Sequence, residues 1–280
     1  MGDQDRQGFR IGSPLPAPRT RLVGRAEERT QVAAAFGTSR LVTLTGPGGA
    51  GKTRLALAAA ADIGAPAGVA WVELAEVDEP GLVADTVRAV LGVSGVSGTG
   101  AARAIIERVR DARVILALDN CEHVVTAAAG LVDQLLDGCP QLRVLATSRE
   151  PLAVDGEVVW PVAPLDLPPA DAATAAAVQA STAGQLFELR AQAALPAFRI
   201  TDENAAQLAR LCRGLDGLPL AIELAAARVR ALSVAQIAAG LDGTVALLSG
   251  GSRSTPARHQ SLRATLDWSH DLLGEPERIV

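Results

Sequence analysis

Residues 46–53 of this chain read Gly46-Pro47-Gly48-Gly49-Ala50-Gly51-Lys52-Thr53. The stretch fits the pattern G-x-x-x-x-G-K-[ST], which is typical of phosphate-binding loops. The apolar, β-branched segment 40–45 precedes it and favours a buried strand, and the good helix formers of 54–61 follow it. Strand, glycine loop and helix in this order are the context that the motif requires. The alternative is a chance glycine turn in front of a helix.

Lys52 is the only lysine of the chain, and every other residue among the 26 lysines and arginines is arginine. A sequence that has almost lost lysine keeps one where a phosphate loop needs a compact ammonium on a flexible stem. Backbone N–H groups of the loop and of the following helix N-terminus would cradle the α- and β-phosphates. We expect Lys52 to reach the β/γ oxygens and the Thr53 hydroxyl to bind Mg²⁺.

Composition and charge narrow the class of protein. The 280 residues are 49% hydrophobic, enough for one large domain or for two to three small ones. With a net charge of −5, the chain lacks the overall basic character of a nucleic-acid-binding domain, although this value does not exclude a local basic patch. Aromatic residues make up only 2%, which argues against stacking platforms for single-stranded nucleic acid.

The cysteines and the chain start bear on the cellular compartment. Cys121, Cys139 and Cys212 are widely spaced and odd in number, so neither a disulfide framework nor a zinc site is predicted. The pair Cys121-x-His123 is a weak candidate for a metal-binding site. Residues 1–5 do not begin a signal peptide, and no apolar run approaches membrane-spanning length. We expect a cytoplasmic, reduced protein without membrane contact.

An apolar segment, 113–119, ends on Asp119. In phosphate-loop proteins such a strand lies beside the first strand, and its terminal carboxylate holds Mg²⁺ directly or through water. Asp119 is therefore the second expected metal ligand, with a simple strand-end cap as the alternative. The segment 142–147 is a further strand, which ends at Ser148-Arg149. An arginine at the carboxyl end of a sheet strand lies on the ligand-binding rim, where it can contact a γ-phosphate; the alternative is a surface arginine paired with an acid such as Glu150.

The other elements follow from hydrophobic periodicity, caps and prolines. Four prolines within 161–171 mark a domain boundary, and the prolines of 1–20 suggest an extended, flexible arm. Predicted strands are 40–45, 68–74, 113–119, 142–147 and an edge strand at 157–160. Predicted helices are 26–36, 80–91, 101–110, 124–139, 172–195, 201–212, 220–231, one or two within 233–248, and 258–273, with loops at 94–100 and 250–254.

Six segments, in this order, carry a resemblance to a known family. They are Leu22-Val23-Gly24-Arg25, the loop Gly46–Thr53, LALDNCEH at 116–123, LATSRE at 145–150, GLPLAIELAA at 217–226 and RHQSLRATLDWS at 258–269. With them, residues 20–280 resemble the NB-ARC-type, AAA+-like ATPase module of STAND signalling proteins. The version most similar is that of bacterial transcriptional regulators of the AfsR/SARP and LuxR-like kinds.

The resemblance implies a fold and a domain order. After the arm of residues 1–20, an α/β P-loop NTPase domain with a five-stranded parallel sheet would occupy 21–165. An all-α domain would occupy 166–250, and the start of a winged-helix domain 256–280. We expect the chain to be a fragment that stops within that last domain.

The resemblance also implies which residues hold the nucleotide. Val23, Gly24 and Arg25 would border the adenine, and Pro219 and Leu220 would close over it, while Arg149 would sense the γ-phosphate. The full binding set is Val23, Gly24, Arg25, Gly46, Pro47, Gly48, Gly49, Ala50, Gly51, Lys52, Thr53, Arg54, Pro219 and Leu220. The catalytic set is Lys52, Asp119, Glu122 and Arg149, and the metal ligands are Thr53 and Asp119.

One departure concerns hydrolysis. Many hydrolytic members carry a second acid directly after the Mg²⁺-binding aspartate, whereas this chain has Asn120, which cannot act as a general base. Glu122 is the nearest substitute, or else only a polar residue at a helix start. Slow, Mg²⁺-dependent ATP turnover is therefore expected.

In this family, the bound nucleotide controls the domain arrangement. The ADP-bound form is closed, and the ATP-bound form is open and oligomerises. The leading interpretation is an ATP/ADP switch of a multidomain transcriptional regulator, which self-associates with ATP and contacts DNA only through domains missing from this chain. Alternatives are a stand-alone ATPase whose hydrolysis is the output, a DNA-binding module and a scaffold that binds no nucleotide.

Overall fold

A computed structural model of the protein describes residues 15–94 and 100–249, of which 242–249 are described by their backbone alone. The predicted winged-helix start, the loop at 250–254, most of the loop at 94–100 and most of the arm lie outside these ranges. The chain divides after Val162 into two compact units, and the five loop residues Pro47–Gly51 group with the second unit.

The first unit is built on one sheet of five strands. They are β1 (Leu41–Thr45), β2 (Val69–Glu73), β3 (Ile115–Asp119), β4 (Arg143–Ser148) and β5 (Glu157–Pro161). The order is β2-β3-β4-β1-β5, and every pair is parallel. All residues of β1 and β3 are buried, as expected for central strands that are covered on both faces. The predicted α/β class, the five-stranded parallel sheet and the edge position of β5 are confirmed.

The prediction of which strand lies beside β1 is wrong. We predicted that the strand ending on Asp119 would lie beside β1, but β4 lies between them and pairs with both. In the register, Val144 of β4 lies opposite Leu41 on one side and Leu116 on the other. Asp119 still reaches the phosphate loop, because the carboxyl ends of parallel strands share one edge of the sheet.

Within the described residues, five α-helices accompany this sheet. They are α1 (Ala26–Ala35), α2 (Lys52–Ile63), α3 (Val83–Val90), α4 (Ala101–Val109) and α5 (Val125–Gly138). Leu116 and Leu118 of β3 pack in one apolar cluster with residues of α3, α4 and α5. The alternate residues Ile115 and Ala117 are buried outside that cluster, and α2 packs against β3 and β4. Both faces of the sheet are therefore covered.

The second unit is helical. Its elements are α6 (Ala175–Gln179), α7 (Thr182–Ala194), α8 (Asp202–Gly214), α9 (Pro219–Ala227) and α10 (Val234–Ser249). The single helix predicted at 172–195 is two helices, because the Ser181 hydroxyl accepts a hydrogen bond from the Gly184 N–H at 3.1 Å and starts α7 afresh. At the start of α8, the Thr201 N–H donates to Asn204 Oδ1 at 3.0 Å, as part of a capping box between these two residues.

The length and apolar character of the helices bear on membrane insertion. Across residues 15–94 and 100–249, none of the helices combines the length and the apolar character needed to cross a membrane.

Two glycine-to-alanine substitutions should have opposite effects on stability. A Cβ at Gly184 would lie 2.2 Å from the Val178 carbonyl oxygen, so we expect Gly184→Ala to destabilise the chain by about 2 kcal/mol or more, as overpacked sites do. A Cβ at Gly130, inside α5, meets nothing within 4 Å, and Gly130→Ala should stabilise by roughly 0.5–1 kcal/mol through helix propensity. Thermal unfolding of both variants measures the two effects, and equal midpoints would contradict the packing described here.

Candidate functional site

The phosphate loop leaves β1 after Thr45 and enters α2 at Lys52, so the predicted strand, loop and helix are present. Gly49 has φ 75° and Gly51 has φ 90°. Side chains of L-residues rarely adopt this region, whereas glycine does so without steric cost. The backbone path of the loop therefore depends on glycine at these two positions.

Lys52 is the buried cation of the site. Only 9% of the residue is exposed, and its Nζ donates a hydrogen bond to the Gly46 carbonyl at 2.9 Å. Burial lowers the pKa of the Lys52 ammonium below its ordinary 10.5; Glu122 and Asp119 oppose this shift, and Arg149 adds to it. Since a desolvated cation gains from nearby negative charge, this position favours an anion at the mouth of the loop.

Asp119 lies next to Thr53, and their joint binding of one cation stays a prediction. The Thr53 hydroxyl donates to Asp119 Oδ1 at 2.9 Å. The Thr147 hydroxyl donates to the same oxygen at 2.5 Å and accepts the Asn120 N–H at 2.9 Å. Three elements thus converge on this carboxylate: the start of α2, the end of β3 and the end of β4.

The oxygens at this point fit Mg²⁺. Hydroxyl and carboxylate oxygens are the hard donors that Mg²⁺ takes, and in phosphate-binding sites it usually has one or two protein ligands besides water and phosphate. The described ranges contain no group of three or more histidine, cysteine, aspartate or glutamate side chains able to hold a metal. The Thr53 and Asp119 oxygens match the protein part of a site in which Mg²⁺ is shared with a phosphate.

Glu122 and Arg149 form an ion pair. Glu122 lies in a single 3₁₀ turn, Cys121–His123, directly after Asn120. Its Oε1 accepts a hydrogen bond from Arg149 Nε at 3.2 Å; the glutamate side chain is 18% exposed and the arginine side chain 58%. A half-exposed pair contributes little, about 0–1 kcal/mol, so an incoming phosphate can compete for Arg149. The acidic partner is Glu122 and not the neighbouring Glu150, and the role of Arg149 at a γ-phosphate stays a prediction.

The segment predicted to border the adenine lies against the helix that follows the loop. Arg54 Nη2 donates to the Thr20 carbonyl at 2.6 Å, three residues before Val23. Gly24 and Arg25 both have positive φ, and Arg25 is buried and pairs with Glu28 at 2.7 Å. These contacts give the segment a fixed path, while the role of Val23, Gly24 and Arg25 at a base stays a prediction.

Pro219 and Leu220 open α9 in the second unit. Within that unit, the Leu220 N–H donates to the Gly49 carbonyl at 3.2 Å. The Leu220 side chain is among the more exposed large apolar side chains, at 38%. No local sequence pattern predicts this hydrogen bond, and the contact of both residues with a base stays a prediction.

The state of the cysteines bears on the alternative metal site, Cys121-x-His123. Cys121, Cys139 and Cys212 are free and buried. Burial raises the pKa of the Cys121 thiol to about 12, and the carboxylates of Asp119 and Glu122 add to the shift. A thiol in this state supplies no thiolate at neutral pH, which argues against metal binding by Cys121-x-His123.

Thr147 is a site residue that the sequence patterns did not predict. In the sequence it is only the end of a strand, whereas the structure places its hydroxyl against Asp119. The signal was present: a polar residue interrupts an apolar strand at its carboxyl end, where ligand-binding residues of parallel sheets gather.

Comparisons with known proteins agree with this architecture. The chain is 44% identical over 242 residues to a Mycobacterium tuberculosis protein with the provisional name of an HTH-type transcriptional regulator, covering 86% of this chain and 26% of that protein. It is 40% identical over 263 residues to a second Mycobacterium tuberculosis protein, named only as uncharacterised, covering 93% of this chain and 64% of that protein. The chain thus spans only part of the curated relatives that it matches. No model of a protein family matches it.

Solved structures give the fold. A STAND protein with a tetratricopeptide repeat sensor from Pyrococcus horikoshii matches with a TM-score of 0.54 and 16% identity, over 94% of this chain and 35% of that one. A Walker-type ATPase of Pyrococcus abyssi matches with a TM-score of 0.50 and 12% identity, over 93% and 89% of the two chains. The chain has the P-loop ATPase fold of STAND proteins, as the sequence resemblance implied, and it is homologous to part of a protein named as a transcriptional regulator.

Proposed function

We propose that this P-loop module related to STAND proteins is the ATP/ADP-binding switch of a multidomain bacterial transcriptional regulator. Slow Mg²⁺-dependent ATP hydrolysis resets the switch, and the nucleotide state controls domain arrangement and self-association. The observation that carries the proposal is the convergence of the Lys52 ammonium, the Thr53 hydroxyl and the Asp119 carboxylate at the end of one glycine loop. Any contact with DNA belongs to segments outside this chain.

The ion pair between Glu122 and Arg149 supports a switch more than a fast enzyme. A ligand shifts a conformational equilibrium only by binding the two states unequally, and moving populations from 1:99 to 99:1 takes about 5.5 kcal/mol. ATP differs from ADP by one phosphate, which Arg149 is placed to receive once it leaves Glu122. Asn120 occupies the position after Asp119, so hydrolysis depends on Glu122, whose carboxylate is paired in the structure.

A stand-alone ATPase is the second candidate. Its support is the presence of every phosphate-loop element, which a hydrolytic enzyme also needs. Steady-state turnover separates the two: typical enzymes lie at about 1–10³ s⁻¹, and the switch should turn over well below about 1 s⁻¹, the lower end of that range. A rate inside the enzyme range would favour hydrolysis as the output.

Nucleotide content is the direct test of the proposal. The purified chain is denatured, and released nucleotide is identified by chromatography; we expect ADP near one equivalent. Sedimentation of the same preparation with ATP–Mg²⁺ and with ADP then compares the two states, and larger species should form with ATP. A chain that carries no nucleotide and binds neither ATP–Mg²⁺ nor ADP would overturn the proposal.

A further inference from the structure

Thr147, the penultimate residue of β4, connects two neighbouring strand ends inside the site. Its side chain is buried, with 1% of the residue exposed. Its hydroxyl donates to Asp119 Oδ1 at 2.5 Å and accepts the Asn120 N–H at 2.9 Å. A single side chain on β4 thus holds both the last residue of β3 and the first residue after it.

The direction of these bonds is fixed by chemistry. A backbone N–H can only donate, so the Thr147 oxygen must accept at Asn120, and its single proton is left for Asp119. Asp119 Oδ1 therefore receives two hydroxyl protons, one from Thr147 and one from Thr53. The Thr147 proton comes from a buried strand and the Thr53 proton from the phosphate-loop helix, so the carboxylate keeps a partner in the sheet whatever Thr53 binds.

The backbone after Asp119 depends on the same hydroxyl. Asn120 has φ 64° and ψ 54°, a left-handed conformation that residues other than glycine keep only where their surroundings fix it. The bond from its N–H to Thr147 is one such constraint. The 3₁₀ turn that carries Glu122 begins at the next residue, so the position of that turn also depends on Thr147.

We propose that Thr147 is a positioning residue for the metal: it holds the Asp119 carboxylate in the orientation that receives, with Thr53, the Mg²⁺ of a bound nucleotide. This inference rests on the proposed function, because it concerns the cation that accompanies ATP. It assigns to β4 a role at the metal site, in addition to the role at the phosphate proposed for Arg149, which directly follows the strand.

The test compares Thr147→Val, which keeps the shape and removes the hydroxyl, with Thr147→Ser, which keeps the hydroxyl. Binding of a fluorescent ATP analogue to the full chain is titrated with Mg²⁺. Since hydrogen bonds to charged groups are among the stronger ones, Thr147→Val should need about tenfold more Mg²⁺ for half-maximal binding, and Thr147→Ser should stay within about twofold of the wild type. Binding of a fluorescent ADP analogue in EDTA should be the same in all three proteins.

Several outcomes would overturn the inference. An unchanged Mg²⁺ midpoint in Thr147→Val would do so, as would an equal loss of ADP binding in EDTA, which indicates a structural role alone. If the valine variant is unstable, Thr147→Cys supplies a weaker donor and acceptor, and its midpoint should lie between those of wild type and a tenfold shift; a wild-type midpoint would again contradict the role. A wild-type chain that binds no nucleotide would overturn the proposed function, and this inference with it.

Discussion

Replacing Lys52 by alanine should weaken ATP–Mg²⁺ binding by about 100-fold or more, because hydrogen bonds to charged groups contribute roughly 1.5–3 kcal/mol each and an ammonium facing two phosphates forms more than one. The side chain is buried and lies beside the glycine loop that we expect to hold the phosphates. Isothermal titration with ATP and with ADP measures the loss, and both nucleotides should be affected.

The matched control is Arg103→Ala. It removes the same charge from an exposed ion pair on α4, where the arginine side chain is 84% exposed. Exposed pairs of this kind contribute little, so its affinity should equal that of the wild type. Equal weakening in both variants would show an effect of net charge and would contradict the assigned role of Lys52.

The single lysine offers a second readout of the same prediction. Amine-reactive reagents can modify only one side chain in this protein, Lys52, besides the chain's α-amino group. Because its pKa is lowered, mainly by burial, the reactive neutral amine forms at a lower pH than in an ordinary lysine. ATP should slow this modification, since a bound phosphate favours the charged form and covers the amine. Peptide mass spectrometry across a pH series, with and without ATP, tests both statements.

Replacing Arg149 by alanine should remove the preference for ATP over ADP. Arg149 forms a half-exposed pair with Glu122, and a γ-phosphate could compete with that carboxylate for the guanidinium. The loss of one charge-assisted contact should weaken ATP binding by about 10- to 100-fold, while ADP, which lacks that phosphate, should bind within about twofold of wild type. Equal losses for both nucleotides would contradict the sensor role.

Glu122→Gln is the informative partner of that variant. It removes the negative charge that holds Arg149, so ATP should bind as tightly as in the wild type or several-fold tighter. If Glu122 is the general base, hydrolysis should fall by about 10²–10⁴-fold. Hydrolysis at the wild-type rate would remove Glu122 from the catalytic set without affecting the role of Arg149.

Local sequence patterns predict the phosphate loop, the strands and Asp119. The phosphate loop is predicted from Gly46–Thr53 alone, because its backbone path needs positive φ at positions that the sequence itself fills with glycine. The buried strands are continuous apolar runs, and the edge strand β5 ends at Pro161, which cannot donate to a further strand. Asp119 was found because it terminates such a run at the ligand-binding edge.

Other features depend on contacts between distant residues, which no local pattern encodes. The sequence carries the strands but not their order, so β4 was not expected between β1 and β3. The pairing of Glu122 with Arg149 and the bond from Thr147 to Asp119 join residues 27 and 28 positions apart. Both follow from the parallel alignment of β3 and β4, which brings their carboxyl ends together. The chemistry of each group is set by its residue type, whereas its partner is set by the order of the strands in the sheet.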